Sequence, residues 1–215
     1  MKNSKLNEGL ILLFTIVPLI YLFIVFDQLS EQVPIHFNIK GEADNFADKS
    51  SMWWIVALMM FGTYLLMKVI PFIDPKNKNN IGASYPKFRL MMAMFMSALA
   101  CFIIRVGHVG TIGMGMDNVL AILLSVMMIG LGNYLTTIKP NYFVGLRTPW
   151  TLENETVWRK SHRMSGKLGF ALGFVALFLT LLLSSKIKVL VVVGIMLIWA
   201  FYSIYYSYKV YQQEK

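Results

Sequence analysis

Six stretches of this chain, 9–26, 52–72, 90–112, 119–138, 168–184 and 187–208, are almost continuously apolar. A helix rises about 1.5 Å per residue, so a run of ~20 apolar residues crosses a hydrocarbon core of ~30 Å. Inside that core a backbone N–H or C=O meets no water, and only helices or closed barrels satisfy all of them. A barrel strand alternates apolar and polar residues, and these runs do not alternate. The sequence therefore predicts an all-α, polytopic membrane helix bundle with about six transmembrane helices. Composition agrees, because 57% of the 215 residues are hydrophobic and 14% charged, against about a quarter charged in a soluble domain.

The lipid bilayer is then the first partner, and the net charge of +9 reads as topology rather than as nucleic-acid binding. Lys2 and Lys5, Lys76, Lys78, Lys87 and Arg89, then Lys139, Arg147, Arg159, Lys160, Arg163 and Lys167, and finally Lys209 and Lys215 fall on one side of a six-span chain. The other side has Lys40, Lys49, Lys186 and Lys188, with Arg105 near it. Basic loops stay in the cytoplasm. Both termini and the connection 139–167 are therefore expected inside, and the acidic connection 27–51 outside, in a multi-pass protein of the cell membrane. Lys2 and Lys5 ahead of an apolar stretch resemble a signal peptide, but no small-x-small site follows, which predicts an uncleaved first span. Cys101 is alone and forms no internal disulfide. Three segments result: 1–72 with the outward loop, 73–138 with spans three and four, and 139–215 with the inward loop and the last two spans.

Within the spans, Arg105 is a costly cation that must snorkel, pair with Asp27 or Asp117, or line a polar pathway. Lys68 lies about one turn from the inner end of its span and is expected to snorkel. Gly166, Gly169, Gly173 and Ala176 form a small-residue stripe that admits a close helix, either of this chain or of a second copy. The 15 Met residues are read as adaptable packing groups.

Catalytic patterns are missing from the sequence: there is no His-Glu-x-x-His, no Gly-x-Ser-x-Gly and no phosphate-cradling glycine loop. The expectation is a non-enzyme without cofactor. The topology divides the histidines, with His36 and His108 outside and His162 inside. A zinc site from His36, His108 and Asp44 or Asp48 is geometrically allowed, but no spacing links these residues, and no metal is assigned.

Two loops carry recognisable patterns. The outer one contains Pro34, His36, Phe37, Asn38, Gly41 and Asp44, which predict a shaped turn that either caps the bundle or recognises a ligand. The inner one contains Asn141, Gly145, Arg147, Thr148, Pro149 and Trp150. After Pro149, Thr151 is the expected N-cap, and Asn154, Trp158 and His162 would share one face of a short interfacial helix. Arg159, Lys160 and Arg163 would meet anionic headgroups, and Trp150 and Trp158 would anchor at headgroup level. Arg147 would hold the loop by donating to backbone carbonyls or to Glu153 or Glu155.

In these two segments the chain resembles the SdpI family of bacterial membrane proteins. The inner segment carries the family's Gly-[Leu/Ile]-Arg-Thr-Pro-Trp-Thr pattern and its downstream tryptophan at Asn141, Gly145, Leu146, Arg147, Thr148, Pro149, Trp150, Thr151, Leu152, Val157 and Trp158. Pro34, His36, Phe37, Asn38, Gly41 and Asp44 resemble a second conserved domain that precedes it in longer members. The resemblance implies an immunity protein of the plasma membrane that protects against a secreted, membrane-active peptide toxin, with no chemistry assigned. A sensor reporting the toxin to a cytoplasmic regulator is compatible with it. Two other readings remain: a small transporter using Arg105, Asn133, Gly107, Gly110, Gly113 and Gly115, and a metal-dependent membrane enzyme using His36.

Overall fold

The computed structural model describes residues 2–38, 43–76, 82, 84–109 and 116–215. Gly41, Lys40, Glu42, Lys78, Gly110, Gly113 and Gly115 lie outside the described residues. The elements are α1 (Lys2–Val25), a 3-10 turn (Phe26–Gln28), β1 (Gln32–Phe37), β2 (Ala43–Asp48), α2 (Ser51–Ala57), a π turn (Leu58–Gly62) and α3 (Thr63–Ile73). They continue with α4 (Tyr85–Val109), α5 (Met116–Leu135), α6 (Pro149–Glu153), α7 (Glu155–Leu182) and α8 (Ser185–Gln213). Among the described residues, six helices are long and apolar enough to cross a bilayer: α1, the continuous α2–α3 rod, α4, α5, α7 and α8. The many exposed Leu, Ile, Val and Phe residues on them, such as Phe23, Leu58, Leu181, Leu190 and Phe201, are what lipid-facing helices present.

The bundle is built from two packed halves. In the first, α1 lies along α4 and the α2–α3 rod closes the group; in the second, α7 packs against both α5 and α8. Leu22, Val25, Val33, Met52, Val56, Met60, Ala100 and Ile104 form the core of the first half. The second has a smaller one around Ala121, Ala176 and Val192. A third cluster, Ile70, Tyr85, Phe88, Tyr134, Ile138 and Trp158, ties the halves together. Its ring stack of Phe88 on Tyr134, centroids 4.2 Å apart, joins α4 to α5. Methionines fill these cores: Met52, Met60 and Met128 are buried, as the packing role expects.

The glycine stripe is consumed inside the chain. A Cβ at Gly166 would lie 2.7 Å from the carbonyl oxygen of Gly132, and one at Gly173 would lie 2.8 Å from the Ile129 nitrogen. One at Gly169 would overlap the Trp199 indole. The stripe thus serves the close approach of α7 to α5 and α8 and is not left open for a second copy.

The loop 139–167 differs from expectation. Thr148, not Thr151, is the N-cap of α6, with Pro149 in the first helical position and Thr151 closing a reciprocal capping box. Helix α6 ends after five residues, and the Asn154 side chain accepts from the amides of Thr156 (2.8 Å) and Val157 (3.1 Å) to start α7. The residues 155–167 are the first turns of the fifth span, continuous with it, rather than a separate helix lying in the interface. The physical reason is that no breaker separates Glu155 from the apolar run, so propagation wins once Asn154 has capped the nucleus.

Candidate functional site

One end of the bundle, the hairpin end, bears the β-hairpin, and the other, the motif end, bears the loop 139–154. At the motif end the loop is fixed by buried hydrogen bonds. Asn141 is fully buried, and its amide nitrogen donates to the carbonyls of Lys139 (2.9 Å) and Val144 (3.0 Å). Its oxygen accepts from the amides of Phe143 (2.9 Å) and Val144 (2.7 Å), so one side chain satisfies a whole turn. Gly145 has φ +113°, where an L side chain is strained, and a Cβ there would overlap Nε2 of His162.

His162 explains that glycine. Its Nδ1 lies 2.9 Å from the Trp158 carbonyl, which only accepts, and its Nε2 lies 2.9 Å from the Leu146 amide, which only donates. These partners require the neutral imidazole with its proton on Nδ1. The ring stacks on Trp158 at 3.9 Å between centroids. Trp158 is itself fully buried and donates through Nε1 to the Ile138 carbonyl at 3.2 Å. The expected headgroup anchor is therefore a core residue: α7 turns the Trp158 and His162 face inward against the loop, because that face lies under α5 rather than toward lipid.

The rest of the motif continues the pattern. Thr151 Oγ1 donates to the Leu146 carbonyl at 2.8 Å. Trp150 leaves the core and donates through Nε1 to Ser207 Oγ at 2.9 Å, with its ring edge-on to Tyr208 and stacked on Tyr211 of α8. Arg147 is exposed and donates from Nη1 to the Tyr142 carbonyl at 2.7 Å. Of the alternatives expected for it, the backbone carbonyl is realised and the Glu153 or Glu155 carboxylate is not, because Glu155 lies at the α7 start beside Arg159 instead, 4.0 Å away. Lys160 pairs with Glu214 at 2.5 Å, which brings the carboxy terminus to the motif end.

Two groups of residues missed in sequence reasoning support this end. Asp74, at the end of the α2–α3 rod, is fully buried; its carboxylate accepts from the amides of Lys76 (3.0 Å) and Tyr142 (3.3 Å). The Lys76 ammonium donates to the Leu152 carbonyl and lies 5.8 Å from the Tyr142 ring centroid. On the other side of the first half, Arg89 holds the Glu8 carboxylate with two bonds of 2.9 and 3.2 Å. Tyr64 adds a third at 3.0 Å and takes one from Lys68 at 3.2 Å. A carboxylate at the edge of an apolar run needs a partner, and Glu8 was the available signal; Asp74, placed among ordinary loop residues, gave none.

At the hairpin end, β1 and β2 pair antiparallel, with bulges around His36. The expected turn is thus a β-hairpin. Val33 is buried and rests on Gly107 and Met52, which seats the hairpin on α4 and α2. Pro34 beside it is buried too, while the outer part is open: His36 Nδ1 and Asp44 Oδ1 are 2.5 Å apart at the surface, and Ile35 and Phe46 are about half exposed, at 47% and 50%. Pro34 pairs with Phe46 across the sheet, while Phe37 pairs with Ala43 next to Asn38. At its base Lys49 pairs with Glu31 at 2.8 Å, and this hydrogen bond raises the Lys49 pKa. The Ser50 side chain, and after it the Ser50 amide, which donates to Asp48 at 2.8 Å, hold the Asp48 carboxyl below its usual range.

Other expected residues are not brought together. Arg105 is exposed and forms no ion pair with Asp27 or Asp117, while Asn133 is exposed near the opposite end of the bundle. No group of three or more potential metal-ligating side chains occurs among the described residues, and His36 faces Asp44 rather than His108.

Residues 137–207 match the SdpI/YfhL protein family, and residues 13–60 match a domain of unknown function, DUF1648. The chain is 25% identical to the immunity protein SdpI of Bacillus subtilis (strain 168) over 174 residues, 81% of each chain. No solved structure matches it. The match to the SdpI/YfhL family spans the motif loop, α6, α7 and most of α8.

Proposed function

We propose that this membrane protein of SdpI type is an immunity protein in which the hairpin end meets a secreted, membrane-active peptide toxin and the motif end is the scaffold that holds the bundle. The likeness to the Bacillus subtilis immunity protein carries the role. One contrast supports the division of labour: the motif loop spends its polar groups on internal bonds, from Asn141 to His162, whereas the hairpin leaves Ile35, His36, Asp44 and Phe46 in the open. An exposed, shaped loop on a rigid base is where recognition residues concentrate. The hairpin faces outward and the motif end, with both termini, faces the cytoplasm. The reading has no catalytic step and no cofactor. A cytoplasmic regulator would reach the protein at the motif end, where Arg159 and Arg163 are exposed.

Challenge of cells with and without the protein by the peptide toxin of the same organism tests the role, and loss of protection without the protein is expected. Equal survival of both cultures contradicts it. Orientation is tested separately in a Cys101→Ser background, where Asn45→Cys should react with an impermeant thiol reagent in intact cells and Arg159→Cys only after permeabilisation; the reverse pattern overturns it.

A further inference from the structure

The motif segment has a second consequence, which lies on its membrane side. Between α5 (Leu131, Leu135), the motif segment (Val144, Leu146) and α8 (Trp199, Ala200) lies a cavity of about 240 Å³. Its polar wall groups are partnered within the chain except the buried Tyr134 hydroxyl, which could offer a water one bond at most. Ser165 and Ser203 share a hydrogen bond of 2.7 Å, and Ser203 also reaches the Trp199 carbonyl at 2.7 Å. The Trp199 Nε1 donates to the Ser165 carbonyl at 2.8 Å, and the Leu146 amide is taken by His162. A water molecule needs two to four polar partners, and cavities without them stay dry. An occupant here must therefore be hydrocarbon.

The cavity sits beside the lipid-facing surface. Ala200 is exposed, and so are its helix neighbours Leu197 (52%) and Phe201 (68%) on a span 27 residues long. The volume is below the ~300 Å³ at which pockets begin to enclose a drug-sized molecule, which suits part of one chain and not a whole lipid. The walls are fixed: Gly169 lies against the Trp199 indole, and Gly145 is held by His162. We propose that this cavity is a lipid site that takes one acyl chain of a phospholipid from the leaflet at the motif end. The motif glycine then has two tasks, since Gly145 leaves room for His162 and also lines the cavity.

The test uses the full-length protein in phospholipid vesicles containing a phosphatidylglycerol with a photoactivatable diazirine on one acyl chain. Cross-links should concentrate on 131–135, 144–146 and 199–203 over the plain lipid-facing surface at Leu181 and Leu182. Ala200→Phe, which fills the mouth from its exposed side, should lower the first set at least five-fold and leave the second unchanged. Leu131→Trp, filling it from α5, should do the same if Ala200→Phe folds poorly. Cross-links spread evenly over all lipid-facing residues, or unaltered by both fillings, would overturn the site. So would fast reaction of Ala200→Cys, in the Cys101→Ser background, with a water-soluble thiol reagent, because a wet cavity has no use for an acyl chain. None of these readouts depends on the toxin.

Discussion

The hairpin and the motif loop are both short, polar-rich connections between apolar spans, yet the bundle treats them oppositely. The hairpin is held by the buried Val33, which rests on Gly107 and Met52, by the buried Pro34, and by surface pairs such as Lys49 with Glu31. The motif loop is held by Asn141, Thr151, Trp158 and His162, all buried and all hydrogen-bonded within the chain. Buried polar networks are costly to break, because each orphaned group forfeits its solvation. Exposed pairs contribute little to stability. On the proposed reading, the stronger sequence signature marks the scaffold and the weaker one the surface that meets a partner.

This contrast can be broken or sharpened by substitution. The largest effect is expected for Gly145→Ala, which combines φ +113° with overlap on His162 and should cost about 3 kcal/mol, read as a lowered thermal midpoint in detergent and reduced membrane abundance. Next comes His162→Phe, which keeps the stack on Trp158 but orphans the Leu146 amide, at about 2 kcal/mol. Arg147→Ala should cost about 1 kcal/mol for one exposed bond. Arg147→Lys should recover much of that loss, since one donor to Tyr142 suffices; a lysine variant as impaired as alanine would show that the further guanidinium donors are needed. His36→Ala and Asp44→Ala should change stability by less than about 0.5 kcal/mol.

The smallest effect concerns pH at the hairpin base. Asp48 has its carboxyl depressed by the Ser50 bond, so its stabilisation is complete above its ordinary value of 3.8 and lost only as pH falls through the lower folded value. Lys49 is raised by Glu31, so its share is complete below 10.5 and lost as pH rises through the higher folded value. Protection of the Ser50 amide from hydrogen exchange, corrected for intrinsic rate, should therefore stay constant between these limits. A midpoint inside that window would show that another group governs the base.

Much of the fold was legible because a bilayer leaves few choices: apolar run length set six helices, and small residues at Gly166, Gly169 and Gly173 marked the closest packing. The motif residues were also visible as residues. What they do was not, because Trp158 and Arg159 read alike as interfacial until the phase of α7 is known, and that phase is set by tertiary contact with Ile138 and Tyr134. The expected cap, Thr151, lies three residues past the observed one, Thr148, since both are good caps and only the reciprocal box decides between them. The hairpin was hidden for a different reason: Pro34 and the acidic residues depress strand propensity, and the pairing is supplied by α4 beneath Val33.

The division between scaffold and recognition surface is tested most directly by toxin survival divided by membrane abundance, measured in parallel for Asp44→Ala and Gly145→Ala. The account predicts that Asp44→Ala loses protection at nearly normal abundance, while Gly145→Ala loses protection only in proportion to the protein lost. Full protection per molecule in Asp44→Ala, with Gly145→Ala abundant yet unprotective, would contradict it and move recognition to the motif end.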